Sequence, residues 1–213
     1  GVLGNIGFNR AVMGDSTTPH DLTVQGTNVN FATLVGSSTA VIGALTVNAS
    51  GLTSFNDVVT AGSVTTDAPG TVQFNITTPL NGASVLTTGT QTYQDAVVLL
   101  QHTTLTSTGA GNAGNIGFGL TVMGDGTTAR NLTVNGTHVN FADEVGASSA
   151  KIGVLAIHAS GDTQFNNLVS VDSVVADAAG SLRFNITTPL SGASVLTTGT
   201  QTYNDAVVLM KDT

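Results

Sequence analysis

A run of glycines is the stretch of this sequence that comes closest to a cofactor motif. Gly109-Ala-Gly111-Asn-Ala-Gly114 has the spacing G-x-G-x-x-G, in which a following helix holds the pyrophosphate of a dinucleotide. The motif needs that helix, but the residues that come next, from Asn115 to Phe118, indicate a strand. We therefore interpret the run as a loop, and we predict no cofactor.

Two groups of titratable residues could in principle cleave a polysaccharide, since glycoside hydrolysis uses paired carboxyl groups. The groups are Asp15, His20 and Asp21, and Asp143 with Glu144. The equivalent positions, 110 residues away, differ: Arg130 stands for His20, Asn131 for Asp21, Thr33 for Asp143 and Leu34 for Glu144. This mismatch predicts that the chain is not an enzyme and has no catalytic residues. A site present in only one copy is the alternative.

Three aspartates do recur at the same offset, and carboxylates are ligands for calcium. The pairs are Asp15 and Asp125, Asp67 and Asp177, and Asp95 and Asp205. Each lies among turn residues without a second acid within two positions. We favour turn aspartates that bond their own backbone over calcium ligands, and we predict no metal site.

Composition narrows the classes of partner. Of 213 residues, 40% are hydrophobic and only 8% charged, with a net charge of −8. Nucleic acid and anionic membranes are excluded as partners because the basic residues do not cluster; they are Arg10, Arg130, Lys151, Arg183 and Lys211. No apolar run approaches the roughly 18 residues of a membrane helix. The absence of cysteine rules out thiol chemistry and is compatible with export through an oxidising compartment.

Internal repetition dominates the sequence. The stretch from Phe74 to Tyr93 returns as Phe184 to Tyr203 with one change, from Asn81 to Ser191. We predict two repeat units, 1–110 and 111–213, stacked as one continuous body. Within each unit a shorter phrase of about 22 residues, an aliphatic strand start followed by an aromatic, recurs five times.

The alternation of apolar and polar residues predicts strands, and comparison of the two copies identifies their outer faces. Gln73 between two apolar neighbours becomes Arg183, so this position points to water; Lys151 and Glu144 mark two further outward positions. Strands of this kind bury their apolar face only by stacking on the next winding. The sequence thus predicts an all-β fold, a parallel β-solenoid of about ten coils of about 22 residues with little or no helix. A pair of antiparallel β-sandwiches is the alternative.

Stacked coils would bring equivalent side chains into columns. We predict an interior aromatic column of Phe31, Phe55, Phe74, Tyr93 and Phe118. We also predict a ladder of side-chain amides at the adjoining turn, formed by Asn56 and Asn75 and, in the second copy, by Asn166 and Asn185.

The segments Leu86–Val97, Leu196–Val207 and Leu105–Gly111 resemble the β-strand-repeat regions of large bacterial surface proteins, the filamentous-haemagglutinin-like adhesins and autotransporter passengers. This resemblance implies secretion, an extracellular or cell-surface location, a β-helical shaft and a role in adhesion or in a fibre. The inserted piece from Gly109 to Gly114 departs from a regular shaft.

We therefore predict a structural module of a secreted bacterial filament or adhesin shaft. The chain begins Gly1-Val2-Leu3, inside the repeat, which suggests a processed chain or an excised fragment. Its partners would be copies of itself or neighbouring repeats stacked head to tail, and glycans of a host or matrix surface. A carbohydrate-binding or polysaccharide-degrading β-helix is the alternative, and Thr-x-Thr pairs such as Thr90 and Thr92 raise ice binding as a third possibility.

Overall fold

The computed structural model describes residues 3–67, 69–177 and 179–212 and consists of short strands joined by corners. The strands of the first copy are β1 (Ile6–Phe8), β2 (Leu22–Gly26), β3 (Val29–Phe31), β4 (Ile42–Ala49), β5 (Leu52–Phe55), β6 (Val59–Thr66), β7 (Thr71–Phe74), β8 (Val85–Thr87), β9 (Gln91–Tyr93), β10 (Ala96–Leu99) and β11 (Thr103–Ser107). The strands of the second copy are β12 (Ile116–Phe118), β13 (Val122–Gly124), β14 (Arg130–Gly136), β15 (Val139–Phe141), β16 (Ile152–Ala159), β17 (Asp162–Phe165), β18 (Val169–Ala176), β19 (Ser181–Phe184), β20 (Val195–Thr197), β21 (Gln201–Tyr203) and β22 (Ala206–Leu209). One 3-10 turn, Gly111–Gly114, is the helical element of the described residues.

The strands pair in parallel along three ladders, which we call walls A, B and C. Wall A contains β1, β3, β5, β7, β10, β13, Val145, residues 169–171 and β20. Wall B contains Val12, Val35, residues 59–61, β8, β11, β14, β16, residues 174–176 and β21. Wall C contains β2, β4, residues 64–66, β9, β12, β15, β17, β19 and β22.

The chain passes through walls A, B and C in order and makes about nine turns, so the predicted parallel β-solenoid is confirmed. The β-sandwich alternative is wrong. Within the described residues, the antiparallel pairs are two isolated bridges, between Leu80 and Ala83 and between Leu190 and Ala193. With strands about 4.8 Å apart, nine turns give a rod about 43 Å long.

The two sequence copies meet inside the stack but are rotated against each other. Strand β9 pairs with β12 and β10 pairs with β13, so hydrogen-bonded ladders cross from one copy to the next. Phe8 lies on wall A, whereas its equivalent Phe118 lies on wall C. The 110-residue repeat is thus one wall segment short of five full turns, and the second copy begins a third of a turn away from the first.

All ten aromatic side chains of the sequence form one continuous interior column, which confirms the predicted alignment. Consecutive ring centroids lie between 4.8 and 5.9 Å apart, and most rings are stacked. Tyr93 meets Phe74 edge-on and stacks on Phe118. The column passes at this tyrosine from wall A to wall C, a shift that the sequence does not reveal. Its members are Phe8, Phe31, Phe55, Phe74, Tyr93, Phe118, Phe141, Phe165, Phe184 and Tyr203.

The predicted amide ladder is also confirmed, and it is longer than expected. The Asn75 side chain donates to Asn56 Oδ1 at 3.0 Å, and the Asn56 side chain donates to Asn30 Oδ1 at 2.9 Å. In the second copy, Asn185 donates to Asn166 and Asn166 to Asn140 at 3.1 and 3.0 Å. These bonds join successive coils outside the apolar core.

Two kinds of sharp corner account for the residue types found at Gly36 and at Asn81 and Gly82. Gly36 has φ of +67°, and a Cβ at this position would overlap the carbonyl oxygen of Thr60 in the next coil, so only glycine fits there. Asn81 and Gly82 both have positive φ and close a two-residue hairpin between Leu80 and Ala83. This is the Asn-Gly combination that a tight reverse turn favours.

The three positions predicted to point outward are at least partly exposed. Arg183 pairs with Asp162 at 3.1 Å, and Lys151 pairs with Asp172 at 3.6 Å. The Asp162 pKa is lowered, chiefly by a hydrogen bond from Ser181. None of the helical structure described for this chain is long and apolar enough to cross a membrane.

Candidate functional site

Asp15 and Asp125 organise the same loop in each copy. One oxygen of Asp15 accepts bonds from the backbone N–H and hydroxyl of Thr17 and from the Thr18 N–H, at 2.8 to 3.0 Å. Asp125 repeats this arrangement with Thr127 and Thr128. The backbone bonds are the main cause of the low pKa of both carboxyl groups. For this pair the turn interpretation is confirmed.

The remaining oxygens of these two aspartates face a basic residue. Asp15 lies 3.2 Å from the His20 ring, and Asp125 lies 3.2 Å from the Arg130 guanidinium. His20 and Arg130 are therefore alternative partners for the same carboxylate. The change from histidine to arginine between the copies preserves a loop contact, so it is explained by structure.

Two other candidate acids, Asp21 and Asp143, accept hydrogen bonds from backbone N–H groups. Asp21 accepts the Ala44 N–H at 2.7 Å, and its equivalent Asn131 accepts the Val154 N–H at 2.9 Å. Asp143 accepts the Glu144 N–H and the Asn167 side chain, at 2.9 and 2.8 Å. The amide oxygen of Asn131 thus accepts the same kind of backbone bond as the carboxylate of its equivalent, Asp21. Across the described parts of the chain, no cluster of three acidic or histidine side chains could hold a metal.

Asp95 contradicts the turn interpretation. It is fully buried; the Thr66 hydroxyl lies beside its carboxylate, but neither carboxylate oxygen receives a bond of good geometry from the described residues. Burial raises its pKa, and the charge of Asp67 adds to the effect. Its equivalent Asp205 receives a long bond, 3.4 Å, from the Gly180 N–H, while Asp177 accepts from Asn204 at 3.3 Å. Asp95 and Asp205 thus belong to the packed interior corner.

The glycine run folds as the sequence indicates. Gly111–Gly114 makes one 3-10 turn and is followed by strand β12, not by a helix. Ser107 holds the loop through bonds to the carbonyls of Gly89 and Ala113 at 2.7 and 3.3 Å. The helix N-terminus that a dinucleotide motif requires is thus replaced by a strand.

The outer faces offer no aromatic platform, because every ring belongs to the interior column. Some of the threonines form a row on wall C. Thr23, Thr46, Thr65 and Thr92 lie in register on successive coils, followed by Gly117. Two residues further along each strand stand Gln25, Asn48, Asp67 and Gln94. The row is therefore a single rank of threonines, not the paired ranks that the ice-binding interpretation requires.

The C-terminal coil is where the apolar core reaches the surface. Leu209 is 62% exposed and Val207 is 44% exposed, whereas the equivalent Leu99 and Val97 in the first copy are fully buried. Among the described residues, strands β20, β21 and β22 each pair on one side only. A recess of about 470 Å³ opens here, lined by Phe184, Val195, Gln201, Tyr203 and Leu209 among others.

A polar cluster around Tyr93 in the first copy shows which contact the C-terminal coil lacks. In the first copy Tyr93 donates to Gln91 Oε1 at 3.0 Å, and Gln91 donates to the Thr106 carbonyl in the next coil at 2.9 Å. Tyr203 likewise donates to Gln201 at 2.9 Å, and the Gln201 amide donates to Thr197 at 3.1 Å as Gln91 does to Thr87 at 3.2 Å. Among the described residues, Gln201 has no counterpart of the bond that Gln91 makes to the next coil. Partial burial raises the pKa of Tyr203 to about 12.

The N-terminal coil is the matching surface. Ile6, Phe8, Val12 and Leu22 are only partly buried and pack against the core from below. Their equivalents in the second copy have another coil on both sides and are fully buried; they are Ile116, Phe118, Val122 and Leu132. The two ends of the described rod are therefore apolar coils whose counterparts are covered inside the chain.

Comparison with known proteins gives no relative: no family model, no curated protein and no solved structure matches this chain.

Proposed function

We propose that this chain is a structural module that extends by end-to-end β-stacking, as part of a secreted bacterial filament or adhesin shaft. The observation that carries the proposal is the join between the two sequence copies, where β9 pairs with β12 and β10 pairs with β13, so that one copy continues the stack of the other. Among the described residues, the C-terminal coil exposes Leu209 and Val207 over the interior column, and its strands pair on one side. Free strand edges beside exposed apolar side chains are sites of β-pairing with another chain.

The side walls support a passive role for the rest of the surface. Inward positions are mainly aliphatic or aromatic, and outward positions are mainly Thr, Ser, Asn and Gly. A carbohydrate-cleaving or carbohydrate-stacking groove is less well supported, because the aromatic rings are interior and Asp15, Asp21 and Asp143 are occupied as acceptors of backbone N–H groups. The polar walls offer hydrogen-bonding groups to the glycans of a host or matrix surface.

The test is whether the purified 213-residue chain grows along its axis. We expect sedimentation velocity to show mass rising with concentration, and negative-stain images to show rods of constant width and variable length. Leu209→Lys places a charge on the open end and should leave single short rods. Leu120→Lys is the matched control, because Leu120 is 38% exposed in the middle of the rod and its equivalent is Arg10.

The control should assemble like the parent chain. A parent chain that stays a single 21.3 kDa particle at high concentration would contradict the proposal. Equal assembly of the Leu209→Lys variant would do the same, because the end-on contact would then not be the growing contact.

A further inference from the structure

The chain contains an internal example of the contact that its two ends would make. Strand β9 pairs with β12 in the register Gln91 to Ile116, Thr92 to Gly117 and Tyr93 to Phe118. The equivalent of β9 is β21 at the C-terminal end, and the equivalent of β12 is β1 at the N-terminal end. Both β1 and β12 have the sequence Ile-Gly-Phe, and both β9 and β21 have Gln-Thr-Tyr.

We propose that the C-terminal coil binds the N-terminal coil of a second copy of this chain, with β21 and the incoming β1 paired in parallel and Gln201, Thr202 and Tyr203 opposite Ile6, Gly7 and Phe8. This inference rests on the end-to-end assembly proposed above and assigns its register. The occupant is a second copy because the complementary surface is already present at the other end of the same chain.

Backbone groups for this pairing are in place. Inside the chain, the Gln91 N–H donates to the Asn115 carbonyl at 3.0 Å, and the Gly119 N–H donates to the Tyr93 carbonyl at 2.7 Å. At the junction the same bonds run from Gln201 to the incoming Asn5 and from the incoming Asn9 to Tyr203. The Phe8 ring then stacks on Tyr203 as Phe118 stacks on Tyr93, with centroids 5.6 Å apart in the internal example.

A second strand pair beside the first extends the contact; it lies on wall A inside the chain and on wall C at the C-terminal end. Inside the chain β10 pairs with β13, with Val97 opposite Val122. The equivalents are Val207 on β22 and Val12 of the incoming copy. Val207 is 44% exposed and Val12 is partly buried, so the junction covers apolar surface on both partners.

One pair of residues differs from the internal example in a compensating way. A Cβ on Gly119 would overlap the side-chain oxygen of Gln94 in the coil before it. At the ends, Gly119 is replaced by Asn9, which has a Cβ, and Gln94 is replaced by the shorter Asn204. The larger residue at one end faces the smaller residue at the other.

At the C-terminal end, wall A, represented by β20, would remain open at the junction of two 213-residue chains. Inside the chain β8 is covered by β11, whose equivalent begins at Thr213. Appending a copy of residues Thr104–Ala110 after Thr213 would complete a second 110-residue period and supply the missing strand. The register predicts that this extension lowers the critical concentration for assembly at least tenfold, and an unchanged critical concentration would overturn it.

Cysteine pairs test the register directly, since the chain has no cysteine of its own. Gly7→Cys and Thr202→Cys are made in separate chains and mixed with a thiol crosslinker that spans about 5 Å, the strand spacing. We expect a covalent dimer in the mixture and none with either variant alone. Asn5→Cys mixed with Thr202→Cys is the control, because it is displaced by two residues along the strand and should crosslink several-fold less.

The outcomes separate the two proposals. Rods with crosslinking confined to the Gly7 and Thr202 pair support both. Rods that crosslink equally through Asn5, or through one variant alone, overturn the register and leave end-to-end assembly standing. Absence of any assembly, with or without the extension, overturns the assembly and the register together.

Discussion

Tyr93 contacts two phenylalanines that lie on different walls of the solenoid. Its ring centroid is 5.5 Å from Phe74, edge-on, and 5.6 Å from Phe118, stacked. In strand pairing, however, Tyr93 lies opposite Thr66 and Phe118. The interior column therefore changes walls at Tyr93, and the hydroxyl that this residue adds is bonded to Gln91 within the core.

Truncation of the Tyr93 side chain tests how much the change of wall in the aromatic column contributes to stability. We expect Tyr93→Ala to reduce the free energy of unfolding by about 3–5 kcal/mol, because a fully buried aromatic leaves a cavity. Tyr203→Ala is the matched control and should cost clearly less, since Tyr203 is only partly buried. Urea unfolding under conditions that keep the chain monomeric measures both, and equal losses would contradict the difference in packing.

Removal of the Asp95 charge should stabilise the fold. Its folded-state pKa is raised above the usual 3.8 by burial, so the ionised form is destabilising and its cost appears as pH rises through that pKa. We expect Asp95→Asn to be more stable than the parent chain at neutral pH, by about 1.4 kcal/mol for each unit by which the folded-state pKa is raised, because the amide carries no charge. The gain should vanish near about pH 3, where the wild-type carboxyl is protonated in both states. A gain that is independent of pH would refute this explanation.

The hairpins at residues 80–83 and 190–193 differ at one position and form a natural comparison. Ser191 has φ of +53°, where Asn81 has +50°, and asparagine adopts this conformation at lower cost. Ser191→Asn should raise the thermal midpoint slightly, by an amount equivalent to a few tenths of a kcal/mol. The reciprocal Asn81→Ser should lower it, and opposite signs in calorimetry are the expected result.

Close approach of neighbouring coils should make Gly36 irreplaceable. Gly36→Ala combines a positive φ with overlap on the Thr60 carbonyl, so we expect a loss of at least about 2 kcal/mol or failure to fold. Gly117→Ala is the control: a Cβ there meets nothing within 4 Å, and stability should change by less than about 0.5 kcal/mol. Comparable losses at the two glycines would show that the corner is not the cause.

Much of this fold follows from the amino-acid pattern. Alternation identified the strands, the recurring phenylalanines identified the interior column, and the change from Gln73 to Arg183 identified an outer face. Asn56 and Asn75 could be assigned to a ladder because equivalent residues of stacked coils must lie about one strand spacing apart. For the same reason the Asp15 turn could be anticipated from its flanking residues.

Asp95 and the exposed terminal coil were less accessible to sequence reasoning. Asp95 stands among turn residues like the other aspartates, and only the packing of Gly70 and Thr66 around it makes it interior. Leu99 and Leu209 occupy equivalent positions, yet one is covered by the next coil and the other is not. Burial of such a residue depends on its neighbour along the axis, which its own sequence does not specify.

Parallel stacking of the windings, with equivalent side chains in columns, follows from the amino-acid pattern, because period-two strands with matching phrases can bury their apolar faces in that way. The position of Phe8 and Phe118 on different walls, in contrast, is seen only in the three-dimensional fold. The number of residues that each corner consumes is set by how the chain bends over its neighbours, and it leaves the 110-residue repeat one wall segment short of five turns. The local alternation of apolar and polar residues does not specify this offset of one wall segment, which builds up along the axis.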